Sequence, residues 1–144
     1  MIALDTNVLV YAEMNESQYH RRARQILTEL AEGAVSWSIP WPCIYETLRV
    51  VTHPRVFRVP LSTEVAMQDI QRILASPSLN LLSETDLHAA ILQRVVRESA
   101  AKGNLMHDAH IATLCFEHGV AELITGDRDF ARFPGLRTIN PFLS

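Results

Sequence analysis

Short continuous apolar runs alternate along this chain with longer stretches whose apolar residues recur at helical spacing. Residues 1–5 read as a buried strand, Ile2-Ala3-Leu4 closed by Asp5. Thr6-Asn7 leads into a helical run from Val8 to Met14. A second helix fits Ser17 to Glu32, with Ile26, Leu27, Leu30 and Ala31 on its apolar stripe and Gly33 as a C′ residue. Ala34 to Ile39 reads as a second strand. Pro40 and Pro42 open a helix to about Thr52, because proline is tolerated in a first turn. A loop over 52–60 precedes Ser62, the cap of a helix from Thr63 to Ala75. Leu79 to Leu82 forms a third strand. Ser83 and Asp86, at capping-box spacing, start a helix that runs to Lys102 and stops at Gly103. Met106 to His118 is a helix closed by Gly119, and Ala121 to Thr125 is a fourth strand. A short helical turn from Asp127 to Phe133 and an edge strand, Arg137 to Ile139, complete the pattern.

Strands alternating with helices imply an α/β fold in three layers, α/β/α, with a mostly parallel central sheet of four to five strands. Neither repeats nor linkers interrupt it, so residues 1–144 are expected to form one domain. In such sheets ligands bind beyond the carboxyl ends of the strands. Asp5 and Asp127 both follow strands at that end.

Composition narrows the picture. With 144 residues, 48% of them apolar and 20% charged, the chain has enough material for a core and is unlike a disordered one. No apolar stretch approaches the roughly 20 residues that span a bilayer, and Asp5 breaks the N-terminal run that a signal peptide would need. Cys43 and Cys115 lie in apolar surroundings and are expected to be buried free thiols of a cytoplasmic protein. A net charge of −3 excludes whole-molecule attraction to nucleic acid, so any such partner must be held by a local patch or a metal.

Four acids stand beside or within apolar runs: Asp5, Glu46, Asp108 and Asp127. Buried carboxylates are costly unless something positive compensates them, and a cluster of several points to a bound divalent cation. Each acid also has a local explanation. Asp5 and Asp127 can cap the turns that follow, Asp108 suits a helix N-terminus, and Glu46 can pair with Arg49 at i+3. Helical phase weakens two of these, since Asp108 shares a face with Ile111, Ala112 and Cys115. Glu46 shares one with Cys43 and Val50, although Thr47 and Arg49 make that face mixed. Oxygen ligands without a His or Cys set suit Mg²⁺ or Mn²⁺. The matching chemistry is metal-assisted phosphodiester hydrolysis, with one or two ions.

Asp5-Thr6-Asn7-Val8-Leu9, Glu46, Asp108-Ala109-His110-Ile111-Ala112 and Thr125-Gly126-Asp127-Arg128-Asp129-Phe130 together resemble the four motifs of a PIN-domain ribonuclease of the VapC toxin type. The resemblance spans essentially the whole chain. It implies a PIN-like fold and Mg²⁺ or Mn²⁺ held by Asp5, Glu46, Asp108 and Asp127, with Asp5 and Asp108 the strongest ligands. Thr6, Asn7 and Thr125 would support that shell by hydrogen bonds. The implied activity is endoribonuclease cleavage of structured RNA such as tRNA or rRNA. The implied partners are that RNA, a VapB-type antitoxin and a second copy in a homodimer, with no membrane. One departure is His107, where the family often has a small residue or proline.

Several features carry less. His107-Asp108 resembles the dipeptide of metal-dependent phosphohydrolases, but a strand-first N-terminus disfavours their helical bundle, whichever of His20, His53 or His88 is added. Asp5-Thr6-Asn7 resembles the haloacid dehalogenase nucleophile, which expects a second Asp where Asn7 stands. Asp129 reads as a cap or a supporting acid. Arg49, Arg55 and Arg58 are candidate RNA phosphate contacts, set against a solvated loop. Trp37, Trp41 and Tyr45 read as core or dimer interface in preference to base stacking. The alternatives to a nuclease are a PIN-like RNA- or protein-binding module without catalysis and a small-nucleotide phosphohydrolase.

Overall fold

The computed structural model describes residues 1–143. Five strands, β1 (Ile2–Leu4), β2 (Trp37–Pro40), β3 (Leu79–Leu82), β4 (Glu122–Ile124) and β5 (Thr138–Ile139), form one sheet in the order β3-β2-β1-β4-β5. Every pairing is parallel. The helices are α1 (Thr6–Glu13), α2 (His20–Glu32), α3 (Trp41–Val51), α4 (Thr63–Leu74), α5 (His88–Ser99) and α6 (Leu105–Glu117). A 3₁₀ turn spans Arg128–Arg132. The three-layer α/β/α reading and each expected strand are therefore present.

Central parallel strands are buried on both faces, so they read as continuous apolar runs. Ala3, Leu4, Ile39 and Leu123 are fully buried accordingly. Ser38 is buried among them because its hydroxyl donates to the Ile2 carbonyl at 3.1 Å. Trp37 is core, and its indole N–H donates to Ser78 Oγ at 2.8 Å. The α2 stripe buries Ala23, Ile26 and Leu30, whereas α6 buries every residue from Ile111 to Cys115. Helix α6 is thus a core helix. Cys43 and Cys115 are buried free thiols, as expected.

The sheet order positions the site. From β1 the chain moves outward to β2 and β3, then returns to the far side of β1 for β4 and β5. The strand order reverses between β1 and β4, and ligands in open α/β sheets bind at that switch point. Leu4 pairs with Ile124, so Asp5 and Thr125 leave the sheet side by side.

Several boundaries differ from expectation; β2 starts at Trp37, not Ala34, and α1 spans Thr6–Glu13, not Val8–Met14. Helix α5 begins at His88, not Ser83, and Ser83 and Asp86 form no capping box. Thr85 instead donates its amide and hydroxyl to Glu117 at the end of α6, both at 2.8 Å, and this tertiary anchor outcompetes the local cap. The helix ends at Ser99, where Ala100 adopts a left-handed conformation (φ 53°), ahead of the expected stop at Gly103. Helix α2 starts at His20, not Ser17. Gly33 follows it with φ −86°, so the glycine is not needed for a left-handed C′. Its requirement is space: a Cβ there would stand 2.7 Å from the Glu29 carbonyl oxygen. Gly33→Ala should therefore destabilise the protein by about 1–3 kcal/mol through overpacking. An unchanged midpoint in denaturant unfolding would contradict that account.

Candidate active site

Asp5 caps α1 at the end of β1, and its Oδ1 accepts from the Thr6 amide at 2.7 Å. Oδ2 accepts from Thr125 Oγ1 at 2.7 Å and from Asn7 Nδ2 at 3.2 Å. Asn7 Oδ1 accepts from the Gly126 amide at 3.0 Å, and Thr125 Oγ1 accepts from the Asp127 amide at 2.9 Å. These bonds close a ring between the start of α1 and the loop after β4. The ring fixes the Asp5 carboxylate, and Oδ1 accepts in addition a weak contact from Cys43 Sγ at 3.8 Å.

Asp5, Glu46, Asp108 and Asp127 line one cleft of about 360 Å³. Thr6 and Asn7 join them, with Val10, Tyr11, Val50, Val56, Phe57 and His107 forming the remaining wall. Carboxylate oxygens of Asp108, Asp127 and Asp129 lie within 4.8 Å of one another. Asp127 also caps the 3₁₀ turn through the Asp129 amide at 2.8 Å, so its capping and clustering roles coexist. Asp129, read from sequence as a cap or supporting acid, stands in the tightest acidic group.

The premise of uniform burial needs correction. Only Asp5 is truly buried, at 4% exposure, while Glu46, Asp108 and Asp127 are half-buried on the cleft's rim. Asp108 stands in the first turn of α6 and Asp127 in the loop after β4, with His107, Arg128 and Asp129 beside them exposed. Glu46 lines the cleft and also pairs with Arg49, whose Nε lies 3.0 Å from Oε2. Arg49 is exposed, and neither it nor Arg55 lines the cleft.

Electrostatics separate the acids. Burial pushes the Asp5 carboxyl up, hydrogen bonds from Thr125 and Thr6 oppose this, and the Asp127 charge adds to the rise. Burial, followed by the charges of Asp127, Asp5 and Asp129, pushes Asp108 up to about 7. The hydrogen bond from Arg49 holds Glu46 below its ordinary value despite partial burial. Like charges crowding Asp108 are what a site completed by a cation should display. Thr6 Oγ1, buried in the cleft wall without a hydrogen-bond partner, is a further unused oxygen. An all-oxygen donor set of this kind fits Mg²⁺ or Mn²⁺.

Of the apolar wall, the sequence pattern points only to Val50, on the Glu46 face. On α1 a signal was available at i+4 spacing: Thr6 with Val10 and Asn7 with Tyr11, as Glu46 with Val50 on α3. Val56 and Phe57 lie in the 52–60 loop, where no periodicity marks an inward face. His107 is exposed yet faces the cleft.

A cleft of carboxylates at the switch point of a parallel sheet is an arrangement able to hold a divalent cation. The profile described as PIN domain matches residues 2–136, and the chain belongs to that family. It is similar to Ribonuclease VapC48 of Mycobacterium tuberculosis, 34% identical over 96% of this chain and 95% of the relative. Ribonuclease VapC37 of the same organism is 35% identical over 98% and 97%. The fold matches that of VapBC2 from Rickettsia felis, solved bound to a DNA fragment from its promoter, with a TM-score of 0.71 and 20% identity over 97% and 98%. The resemblance read from the four motifs is thereby borne out.

Proposed function

We propose that this chain is the toxin of a toxin–antitoxin pair, an endoribonuclease that depends on a divalent metal and hydrolyses structured RNA such as tRNA or rRNA. The observation that carries the reading is the convergence of Asp5, Glu46, Asp108 and Asp127 on one open cleft at the switch point. Ribonuclease VapC48 and VapC37, each similar over nearly the whole chain, support the same activity. Bound Mg²⁺ or Mn²⁺ would neutralise charge on the phosphodiester and lower the pKa of water in the cleft.

Within this reading Asp5 and Asp108 would hold the metal, and Asp127 and Asp129 would complete its anionic surround. Glu46, on the same cleft, would orient the attacking water. Thr125 and Asn7 keep the Asp5 carboxylate in one orientation, a supporting role worth about 10–100-fold in activity. Arg49 and Arg55, exposed beyond the cleft, contact flanking RNA phosphates. A VapB-type antitoxin blocks the site, and the chain pairs with a second copy. Among the described residues no helix is long and apolar enough to cross a membrane.

The test is cleavage of total RNA by the purified protein with Mg²⁺, with Mn²⁺ and with EDTA, followed by mapping of new 5′ ends. Discrete cuts that require the metal and vanish in Asp5→Asn are expected. Metal-independent cutting would overturn the mechanism, and RNA binding without any cutting would make the chain a non-catalytic module.

A further inference from the structure

Outside the acidic cleft, the ends of α5 and α6 build a second constellation of a different chemical kind. Ligand atoms of Glu84, His88 and His110 lie within 4.8 Å of one another. Glu84 Oε1 stands 2.8 Å from His110 Nε2, and the two imidazole rings meet edge to face with centroids 5.6 Å apart. His88 is oriented from behind, because its Nδ1 contacts Glu117 Oε2 at 2.5 Å. The Glu117 side chain has no exposed surface, and its other oxygen is held by the Thr85 amide and hydroxyl. A buried carboxylate on Nδ1 fixes the tautomer and leaves Nε2 as the free donor of His88. This carboxylate–histidine relay is how metal-ligating histidines are positioned.

We infer that Glu84, His88 and His110 form a second metal site, selective for Zn²⁺ or a similar borderline cation and distinct from the acidic cleft. Two imidazoles and one carboxylate match a three-ligand zinc set with a fourth position left to water, whereas the all-oxygen cleft suits Mg²⁺. His88 opens α5, Glu84 lies in the segment after β3, and His110 lies on α6 two positions beyond Asp108. A cation there clips the 83–87 segment and the start of α5 onto the helix that carries Asp108. The ion would thus tie these elements to α6 two residues beyond Asp108, through residues outside those that line the cleft.

Chelator-stripped protein titrated with Zn²⁺ by calorimetry, and with Co²⁺ by visible absorption, tests this. The wild type should bind one equivalent of Zn²⁺ that excess Mg²⁺ does not displace, and Co²⁺ should show the intense bands of a four-coordinate ion. Asp108→Asn, which disables the cleft alone, should retain both signals. His88→Ala should lose them, as should His110→Gln, which removes an imidazole with little change in volume. Glu117→Gln should weaken Zn²⁺ binding about 10–100-fold without removing a ligand. Circular dichroism melts in EDTA report whether each variant is folded before titration. The inference falls if the wild type binds no stoichiometric Zn²⁺, or if binding survives in folded His110→Gln. It falls equally if Asp108→Asn abolishes the signal, since the ion would then sit in the cleft. RNA cleavage is not among the readouts, so this outcome is independent of the nuclease proposal.

Discussion

Replacing Asp108 by Asn is expected to abolish RNA cleavage while making the metal-free protein more stable. The isosteric amide removes a charge that the cleft needs and the apo fold resists. Burial and the charges of Asp127, Asp5 and Asp129 raise its carboxyl from 3.8 to about 7. Because the folded value lies above the unfolded one, the associated stability is full below pH 3.8 and is lost as pH rises through 7. At roughly 1.4 kcal/mol per unit the whole shift would be about 4 kcal/mol, but Asp108 is only half-buried, and solvent screening reduces this to about 1–2 kcal/mol. In EDTA at pH 8 the variant should melt about 3–8 °C higher than wild type, and at pH 4 the two should coincide. Cleavage should fall by more than about 100-fold, since disturbing even the outer partners of a metal costs that much. A variant that is less stable in EDTA at pH 8 would show that the clustered charges are not in conflict. Retained cleavage would remove Asp108 from the mechanism.

That opposition between stability and function explains why the acids could be found from sequence and why the reason first given for them was too general. Periodicity exposed every strand, and the order of elements was sufficient to expect a parallel sheet with Asp5 and Asp127 at its carboxyl edge. Neither the strand order nor the adjacency of β1 and β4 can be read from local pattern, because pairing is a long-range property. The side-by-side placement of Asp5 and Thr125, and hence the hydrogen-bonded ring through Asn7, depends on that pairing. An acid next to an apolar run is not always a buried acid. Asp108 stands in a first helical turn and Asp127 in a loop, both half-buried, so their clustering comes from how those segments converge and not from enclosure in the core. The Ser83–Asp86 capping box failed for a related reason, since Glu117 on α6 claimed the donors of Thr85. Local signals name candidates, and tertiary partners decide between them.

The burial criterion applies better to an acid that sequence reading passed over. Glu13 lies at the end of α1, between buried Ala12 and Met14, and both its carboxylate oxygens are buried without a hydrogen-bond partner. It lines a separate cavity of about 290 Å³ with Arg24, Asp69 and Arg72, but Arg72 is committed to Asp69 at 2.9 Å. Burial first, and the Asp69 charge second, push the Glu13 carboxyl from 4.5 up to about 8. Its contribution to stability is therefore full below pH 4.5 and lost progressively as pH rises through 8. Glu13→Gln retains the shape without the charge and should match wild type near pH 4.5. At pH 8.5 it should be more stable by about 2–3 kcal/mol, after discounting the full shift for the residue's partial exposure. Thermal melts should separate by about 6–12 °C at pH 8.5. Asp108 is not among the charges that act on Glu13, nor Glu13 among those that act on Asp108, so the effect of Glu13→Gln should add to that of Asp108→Asn in the double variant. Cleavage should be unchanged, because Glu13 lies outside the cleft. An equal gain at pH 4.5 and 8.5 would mean that Gln improves packing and that the buried charge is not the cause.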